Sequence, residues 1–219
     1  MQQSSLGPED FTPNFEQVQS TKEGFAKIYA ETNPPWDIDK AQPPFVAVAE
    51  QIKGPLLDSG CGTGGTSLFF AARGIQVTGI DFVEEAIDRA LAKAAERNMA
   101  VEFIVKDAMT LGNWDRRFCS VIDSGLFHIY AGAEQERYVH GLAHVIEPGG
   151  RLFLFCFAEG PSAPGGGMSR QAINEAFAQG WEVESLDYAE GEVNPKFAAE
   201  FPDALADLKM WFAIIRRKG

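Results

Sequence analysis

Residues 56 to 65 read Leu-Leu-Asp-Ser-Gly-Cys-Gly-Thr-Gly-Gly, an apolar pair and an acid, Asp58, followed by glycines on alternate positions, Gly60, Gly62 and Gly64. Glycine carries no Cβ, so a turn of this composition lets backbone approach a ligand closely. The next apolar run, 75–80, ends in Asp81. A nucleoside-binding sheet needs a carboxylate there, to accept hydrogen bonds from both ribose hydroxyls. A nucleoside cofactor at the ends of two strands is the first expectation. Gly60, Gly62 and Gly65 also satisfy the G-x-G-x-x-G spacing of nicotinamide- and flavin-binding folds. Asp58 weighs against that option, because an acid beside the turn repels a pyrophosphate and welcomes a cationic amino-acid group. Further along, Asp123 and Ser124 end another apolar run, and Phe127, His128 and Tyr130 follow at once. That cluster is aromatic and holds a base. His128 is placed to take a proton from a phenol, a ring nitrogen or a thiol, with an ascending pH limb at the ordinary histidine pKa of about 6.5.

The elements that must hold these residues follow from the apolar pattern. Strands are expected at 56–58, 75–80, 101–105, 120–123 and 151–157. Helical spacing appears between them at 67–73, at Ile87, Ala90, Leu91 and Ala94, and at 134–146, where Tyr138, Leu142 and Val145 form the stripe. Alternation of this kind marks a doubly wound α/β fold with a mostly parallel sheet. By the rule for open α/β sheets, the fourth strand then points Asp123 and Ser124 into the ligand crevice. The rhythm changes after Phe157. A Pro- and Gly-rich loop at 160–167 leads to a helix near 171–178 and to two last strands, 181–188 and 209–216, joined without a strong helical stripe. Such a pair reads as a hairpin on the sheet edge, with one strand antiparallel. Ahead of the core, a helical stretch at 15–32 carries Phe25, Ile28 and Tyr29, and a second helix is expected from Phe45 to Ile52.

Asp58-Ser59-Gly60-Cys61-Gly62-Thr63-Gly64, followed in order by Asp81, Asp107, Asp123 and Pro148-Gly149-Gly150, resembles a class I S-adenosylmethionine (AdoMet) methyltransferase over roughly residues 25–219. The resemblance implies a Rossmann-like sheet of seven strands, AdoMet as cofactor and no metal. It implies cofactor contacts from Asp58, Gly60, Cys61, Gly62, Gly64 and Asp81. Asp107, with Ala108 after it, matches the family's acceptor for the adenine amino group, and Phe82 is placed to lie against the adenine ring. Asp123 and Ser124 then face the transferred methyl. Pro34-Pro35-Trp36-Asp37, taken with Ser124 to His128, resembles the small-molecule methyltransferases of the thiol and halide type and their relatives acting on quinones, phenols and heterocyclic toxins. There the early tryptophan closes over the methyl donor, and a sulfonium facing Trp36 gains about 0.5 to 2 kcal/mol of cation–π attraction. The glycine motif lacks the usual extra residues of the halide enzymes. Residues 1–219 thus read as one domain, with 1–53 as a helical lid region and 54–219 as the cofactor-binding core. The lid comprises the Trp36 segment and the 160–167 loop. Acceptor contacts are expected from Trp36, Phe127, His128 and Tyr130. An NAD(P)-dependent oxidoreductase requires instead a parallel sixth strand. A non-catalytic AdoMet-binding protein requires no acceptor pocket beside His128.

The net charge of -12 argues against a surface that tracks phosphates, and the one basic run, Arg216-Arg217-Lys218, is a chain end. The partner is therefore a small-molecule acceptor and not a nucleic acid. No apolar segment is long enough to span a bilayer, and residues 1–19 lack the pattern of a signal peptide, so a cytoplasmic location is expected. Cys61, Cys119 and Cys156 fit neither a disulfide framework nor a C-x-x-C site and read as reduced. His140 and His144 stand four apart without an acid in the zinc-site pattern, and they lie off the apolar stripe of their helix.

Overall fold

Short apolar runs bounded by glycine and proline become the strands of one sheet. The computed structural model describes residues 21–31, 34–160, 163–200 and 208–219. Its strands are β1 Leu56–Ser59, β2 Val77–Asp81, β3 Glu102–Val105, β4 Phe118–Ser124, β5 Ile146–Phe157, β6 Trp181–Ala189 and β7 Met210–Arg217. They pair in the order β3-β2-β1-β4-β5-β7-β6. Strands β1 to β5 are parallel, and β7 runs antiparallel to both β5 and β6. The helices are α1 Lys22–Glu31, α2 Pro43–Ala47, α3 Gly65–Ala71, α4 Glu84–Glu96, α5 Ala133–Val145, α6 Arg170–Ala176 and α7 Pro195–Glu200.

Helices cover both faces, which is why every residue of β1 and β2 is buried. Alternate residues enter opposite cores. Leu57, Val121, Leu152 and Leu154 pack with Tyr138, Leu142 and Val145 of α5, while Leu56, Ile122 and Phe153 pack with Phe45 and Phe70. The strand order reverses between β1 and β4. Their register sets Ser59 opposite both Ile80 and Asp123, so the carboxyl ends of β1, β2 and β4 lie side by side at the switch point.

The structure departs from the sequence pattern in a few places. β5 starts at Ile146, ahead of the expected 151–157, and so carries Pro148-Gly149-Gly150 within it, and its pairing with β4 shifts register between Phe118 and Ser120. The expected second helix breaks at Val48 (φ -108°, ψ 15°) into α2 and a single 3-10 turn at Ala49–Gln51. Leu91 faces solvent at 45% exposure, and α4 buries Ala86, Ile87, Ala90 and Ala94 instead. The link before β7 contains α7, which opens on proline as helix starts often do. The part of the N-terminal helical pattern at 15–20 and 32 lies outside the described residues. No described helix is long and apolar enough to cross a membrane.

Candidate functional site

Between β1 and α3 the backbone passes through Gly60 (φ 73°), Gly62 (52°) and Gly64 (80°), a left-handed region that costs glycine nothing. Space forbids a side chain as well, since a Cβ on Gly62 would stand 2.9 Å from the Tyr29 hydroxyl oxygen. Asp81 is fixed by this turn. Its Oδ2 accepts from Gly62 N at 3.0 Å and its Oδ1 from Val83 N at 2.9 Å, and each oxygen keeps a lone pair for a ligand. Asp58 Oδ2 accepts from Ser67 Oγ at 2.6 Å. Burial pushes the Asp58 carboxyl up to about 7 against the pull of Ser67, and Asp81 and Asp123 push the same way. Burial also raises Asp81 and lifts Asp123 to about 6. A buried acidic cluster of this kind favours a cationic ligand.

A cavity of about 370 Å³ opens over the turn, within the roughly 300–1,000 Å³ of small-molecule sites. Asp58, Gly60, Cys61, Gly62, Asp81 and Phe82 line it from the ends of β1 and β2; His128, Phe155, Phe157, Glu192, Val193, Phe197 and Met210 line it from the rest of the chain. The first group comes from two short sequence stretches. The second is assembled from distant strands and from the link between β6 and β7. His128 is half-buried there, its ring centroid 4.5 Å from that of Phe157. Its Nδ1 is buried with no hydrogen-bond partner among the described residues. Burial pulls its pKa down to about 4, so the ring is neutral at physiological pH. That pKa lies below the ordinary value at which the ascending limb is expected.

Residues 34–42 cover the cavity. Trp36 lines it while packing edge-on to Phe25 and Tyr29 of α1, and its Nε1 donates to the Tyr29 hydroxyl at 3.0 Å. The tryptophan therefore anchors the N-terminal helix and faces the ligand space together. Thr63 Oγ1 donates to Asp37 Oδ1 at 2.7 Å, and Lys93 on α4 bonds Thr63 (2.7 Å) and Asp39 (2.8 Å).

Of the expected site residues, Trp36, Asp58, Gly60, Cys61, Gly62, Asp81, Phe82, Ser124 and His128 line the cavity. The others sit elsewhere. Gly64 caps α3 behind the turn, against Phe103. Asp123 is fully buried, accepting from Leu126 N (2.8 Å), Phe127 N (3.2 Å) and the Tyr138 hydroxyl (2.9 Å), so its carboxylate shapes the turn after β4. Phe127 does not line the cavity; it opens the 3-10 turn Phe127–Ile129 after β4 and is buried against Phe177 in the α5 core, as a fully apolar ring prefers. Tyr130 packs on Tyr138, with ring centroids 5.2 Å apart. Asp107 is exposed and caps a 3-10 turn through Met109 N (2.8 Å), with Ala108 buried behind it. Among its described residues, the 160–167 loop lines no part of the cavity. The second covering segment is instead 191–197. Sequence reading passed over Tyr29, Thr63 and this segment, whose bonds to the 34–42 loop span about 150 residues and leave no local signal.

Residues 56–150 match the family model of a methyltransferase domain. The chain is 31% identical over 185 residues to a 2-heptyl-1-hydroxyquinolin-4(1H)-one methyltransferase from Mycobacteroides abscessus, covering 80% of this chain and 82% of the relative. A solved structure described as "Conversion of a Disulfide Bond into a Thioacetal Group during Echinomycin Biosynthesis" shares 31% identity, with a TM-score of 0.77 over 90% of this chain and 93% of that one. The fold is also that of the 1,6-didemethyltoxoflavin-N1-methyltransferase of Burkholderia thailandensis, solved with 1,6-didemethyltoxoflavin and S-adenosylhomocysteine, at 18% identity and a TM-score of 0.71 over 100% and 94% of the two chains. With the glycine turn and acids at the switch point, and the antiparallel β7 that an NAD(P)-binding sheet of the expected kind lacks, the chain belongs to the S-adenosylmethionine-dependent methyltransferases that act on small molecules.

Proposed function

We propose that this enzyme methylates an oxygen, nitrogen or sulfur of a flat, largely apolar acceptor, a phenol, quinone, heterocycle or thiol. One observation carries the reading: a single cavity joins the carboxylates of the glycine turn to a largely apolar wall that includes the His128 imidazole. The first side fits AdoMet. Asp81 has lone pairs for the ribose diol, the Gly60 and Gly62 backbone leaves the room a side chain would fill, and the Asp58 cluster favours a cationic amino-acid tail. Phe82 serves the adenine ring, and Cys61 and Ser124 complete the wall. Asp107 and Ala108 follow β3 just past Lys106, whose N donates to Asp81 O at 2.8 Å, which supports a role for them at the adenine end. Bound AdoMet supplies an electrophilic methyl carbon on a sulfonium. The chain's own residues align the acceptor, exclude water and accept a proton; alignment of this kind is able to provide about 7 to 11 kcal/mol. Trp36 faces the sulfonium. His128, neutral at the cavity wall, would accept a hydrogen bond from the acceptor X–H and take its proton while the sulfur–methyl bond breaks and the X–CH₃ bond forms, leaving S-adenosylhomocysteine.

The relatives support a flat heterocycle, since one is named for a hydroxyquinolone and another for a toxoflavin precursor. The net charge of -12 supports a small molecule over a nucleic acid, and three unpaired cysteines support a cytoplasmic location. We take residues 1–219 as one methyltransferase domain, which the seven-stranded sheet supports. The test is an acceptor screen that follows S-adenosylhomocysteine formation over hydroxyquinolones, phenols, thiols and halides. Turnover with a flat ring bearing O–H or N–H is expected. Turnover confined to halide would overturn the acceptor class, and none with any class would favour a non-catalytic AdoMet-binding protein.

A further inference from the structure

The 34–42 loop is bonded in two directions. Toward the glycine turn, Asp37 Oδ1 accepts from Thr63 Oγ1 at 2.7 Å, and the Lys40 backbone lies so close that a Cβ on Gly65 would stand 2.9 Å from Lys40 N. Toward the 191–197 segment, Gln42 Nε2 donates to Glu192 O at 2.9 Å while Glu192 N donates to Gln42 Oε1 at 2.8 Å. The primary amide thus holds both backbone groups of one residue, as a neighbouring strand would. Asn194 adds Nδ2 to Asp37 O at 3.1 Å and N to Pro35 O at 2.8 Å. Gln42 is 7% exposed, so water competes poorly for these bonds. On the other side of the latch, Val193 and Phe197 face the cavity, and Gly191 abuts Phe155 so tightly that a Cβ would come within 2.9 Å of its ring.

We infer that Gln42 is a positioning residue that latches the 191–197 segment to the 34–42 loop, so that seating the cofactor orders Val193 and Phe197 around the acceptor. The inference rests on the cofactor lying at the glycine turn, as proposed above. An element held by both a cofactor-facing loop and an acceptor wall couples the two binding steps, each favouring the latched state.

Hydrogen exchange of the full-length chain, with and without S-adenosylhomocysteine, tests this. In the wild type, saturating S-adenosylhomocysteine should slow exchange in both 34–42 and 191–197 by about tenfold. In Gln42→Ala the slowing of 34–42 should persist, while the ligand-dependent slowing of 191–197 should fall below about twofold. A latch that only anchored the segment would speed its exchange equally with and without ligand and leave that ratio unchanged, which overturns the coupling. So does equal slowing in both proteins, the mark of direct contact. Should circular dichroism show Gln42→Ala unfolded, Asn194→Ala replaces it, with the same ratio expected to fall. Calorimetry on the same samples separates the two readings: no binding by the wild type removes the cofactor assignment and the coupling with it, whereas binding without coupled slowing removes the coupling alone.

Discussion

The two sides of the cavity are built in opposite ways. The proposed cofactor side comes from residues 58–66 and 81–82, short stretches at the ends of adjacent strands, and it is polar, glycine-rich and held by backbone hydrogen bonds. The proposed acceptor side gathers His128, Phe155, Phe157, Val193, Phe197 and Met210 from across the chain, apolar apart from the imidazole, with Glu192 beside them. A charged, hydrogen-bonded ligand needs fixed groups at fixed spacing, so a turn between two strands is enough to hold it. An apolar ligand needs only shape, which any set of packed side chains can supply. The first side should therefore fail by loss of charge and the second by loss of fit or proton transfer.

The largest effect belongs to the second side. His128→Ala should lower turnover by about 10² or more with acceptors that must lose a proton, and much less with acceptors ionised at neutral pH. Because burial holds the ring's pKa at about 4, the wild-type rate should show no histidine limb between about pH 6 and 8, where the group is already unprotonated. An ascending limb near the ordinary value would mean that the ring is solvated when the enzyme works. An equal loss for ionised and neutral acceptors would leave His128 an aligning group.

On the cofactor side, Asp81→Asn keeps one acceptor oxygen for the turn but removes the charge and the second acceptor. A charge-assisted bond contributes about 1.5–3 kcal/mol, so the S-adenosylhomocysteine Kd should rise between about 10- and 100-fold, as read by calorimetry, and the empty protein should melt lower because the amide NH₂ cannot accept from the second backbone N–H. An unchanged Kd would show that another group holds the ribose.

How much of this was legible in the chain follows the same division. The strands, the hairpin with its antiparallel member and the Asp58, Gly60, Gly62 and Asp81 group follow from local pattern, because turn glycines and strand-ending acids are constrained by their immediate neighbours. Phe127 illustrates the failure: its neighbours in sequence suggest a site, but the ring's apolar surface is better buried against Phe177 than left beside the cavity. Asp123 looks like a ligand-facing acid until the Tyr138 hydroxyl and the Leu126 and Phe127 amides claim its oxygens. The 191–197 cover has no periodicity of its own, and its latch to Gln42 is made by tertiary packing alone.

A smaller effect sharpens the acceptor side. Phe197→Ala should raise the acceptor KM by about tenfold, the amount a few buried methylenes are worth in selectivity, and should relax preference toward bulkier rings. The S-adenosylhomocysteine Kd should stay within about twofold. If the cofactor weakened as much as the acceptor, the division of the cavity into two sides would be wrong.

The smallest effect tests the acids themselves. Asp58 has its pKa raised to about 7 in the folded protein, from an ordinary aspartate value of about 3.9. A raised carboxyl stabilises the fold fully below its unfolded pKa, and that contribution is lost as pH rises through the folded value. His128 acts oppositely, its lowered pKa favouring the fold as pH rises, but only up to its unfolded value of about 6.5. Between about pH 6.5 and 8 Asp58 carries most of the slope, with Asp123, raised to about 6, and the raised Asp81 acting in the same direction, and the empty protein should melt at progressively lower temperature, Asp58 contributing at most about 1.4 kcal/mol per pH unit. Asp58→Asn, which still accepts the Ser67 hydroxyl, should flatten that slope. Saturating AdoMet should flatten it too, because a cation beside the carboxylate lowers its pKa toward the ordinary value. The same slope in the wild type and Asp58→Asn would place the titrating group elsewhere, and a slope that AdoMet leaves untouched would place the cofactor's positive charge away from the glycine turn.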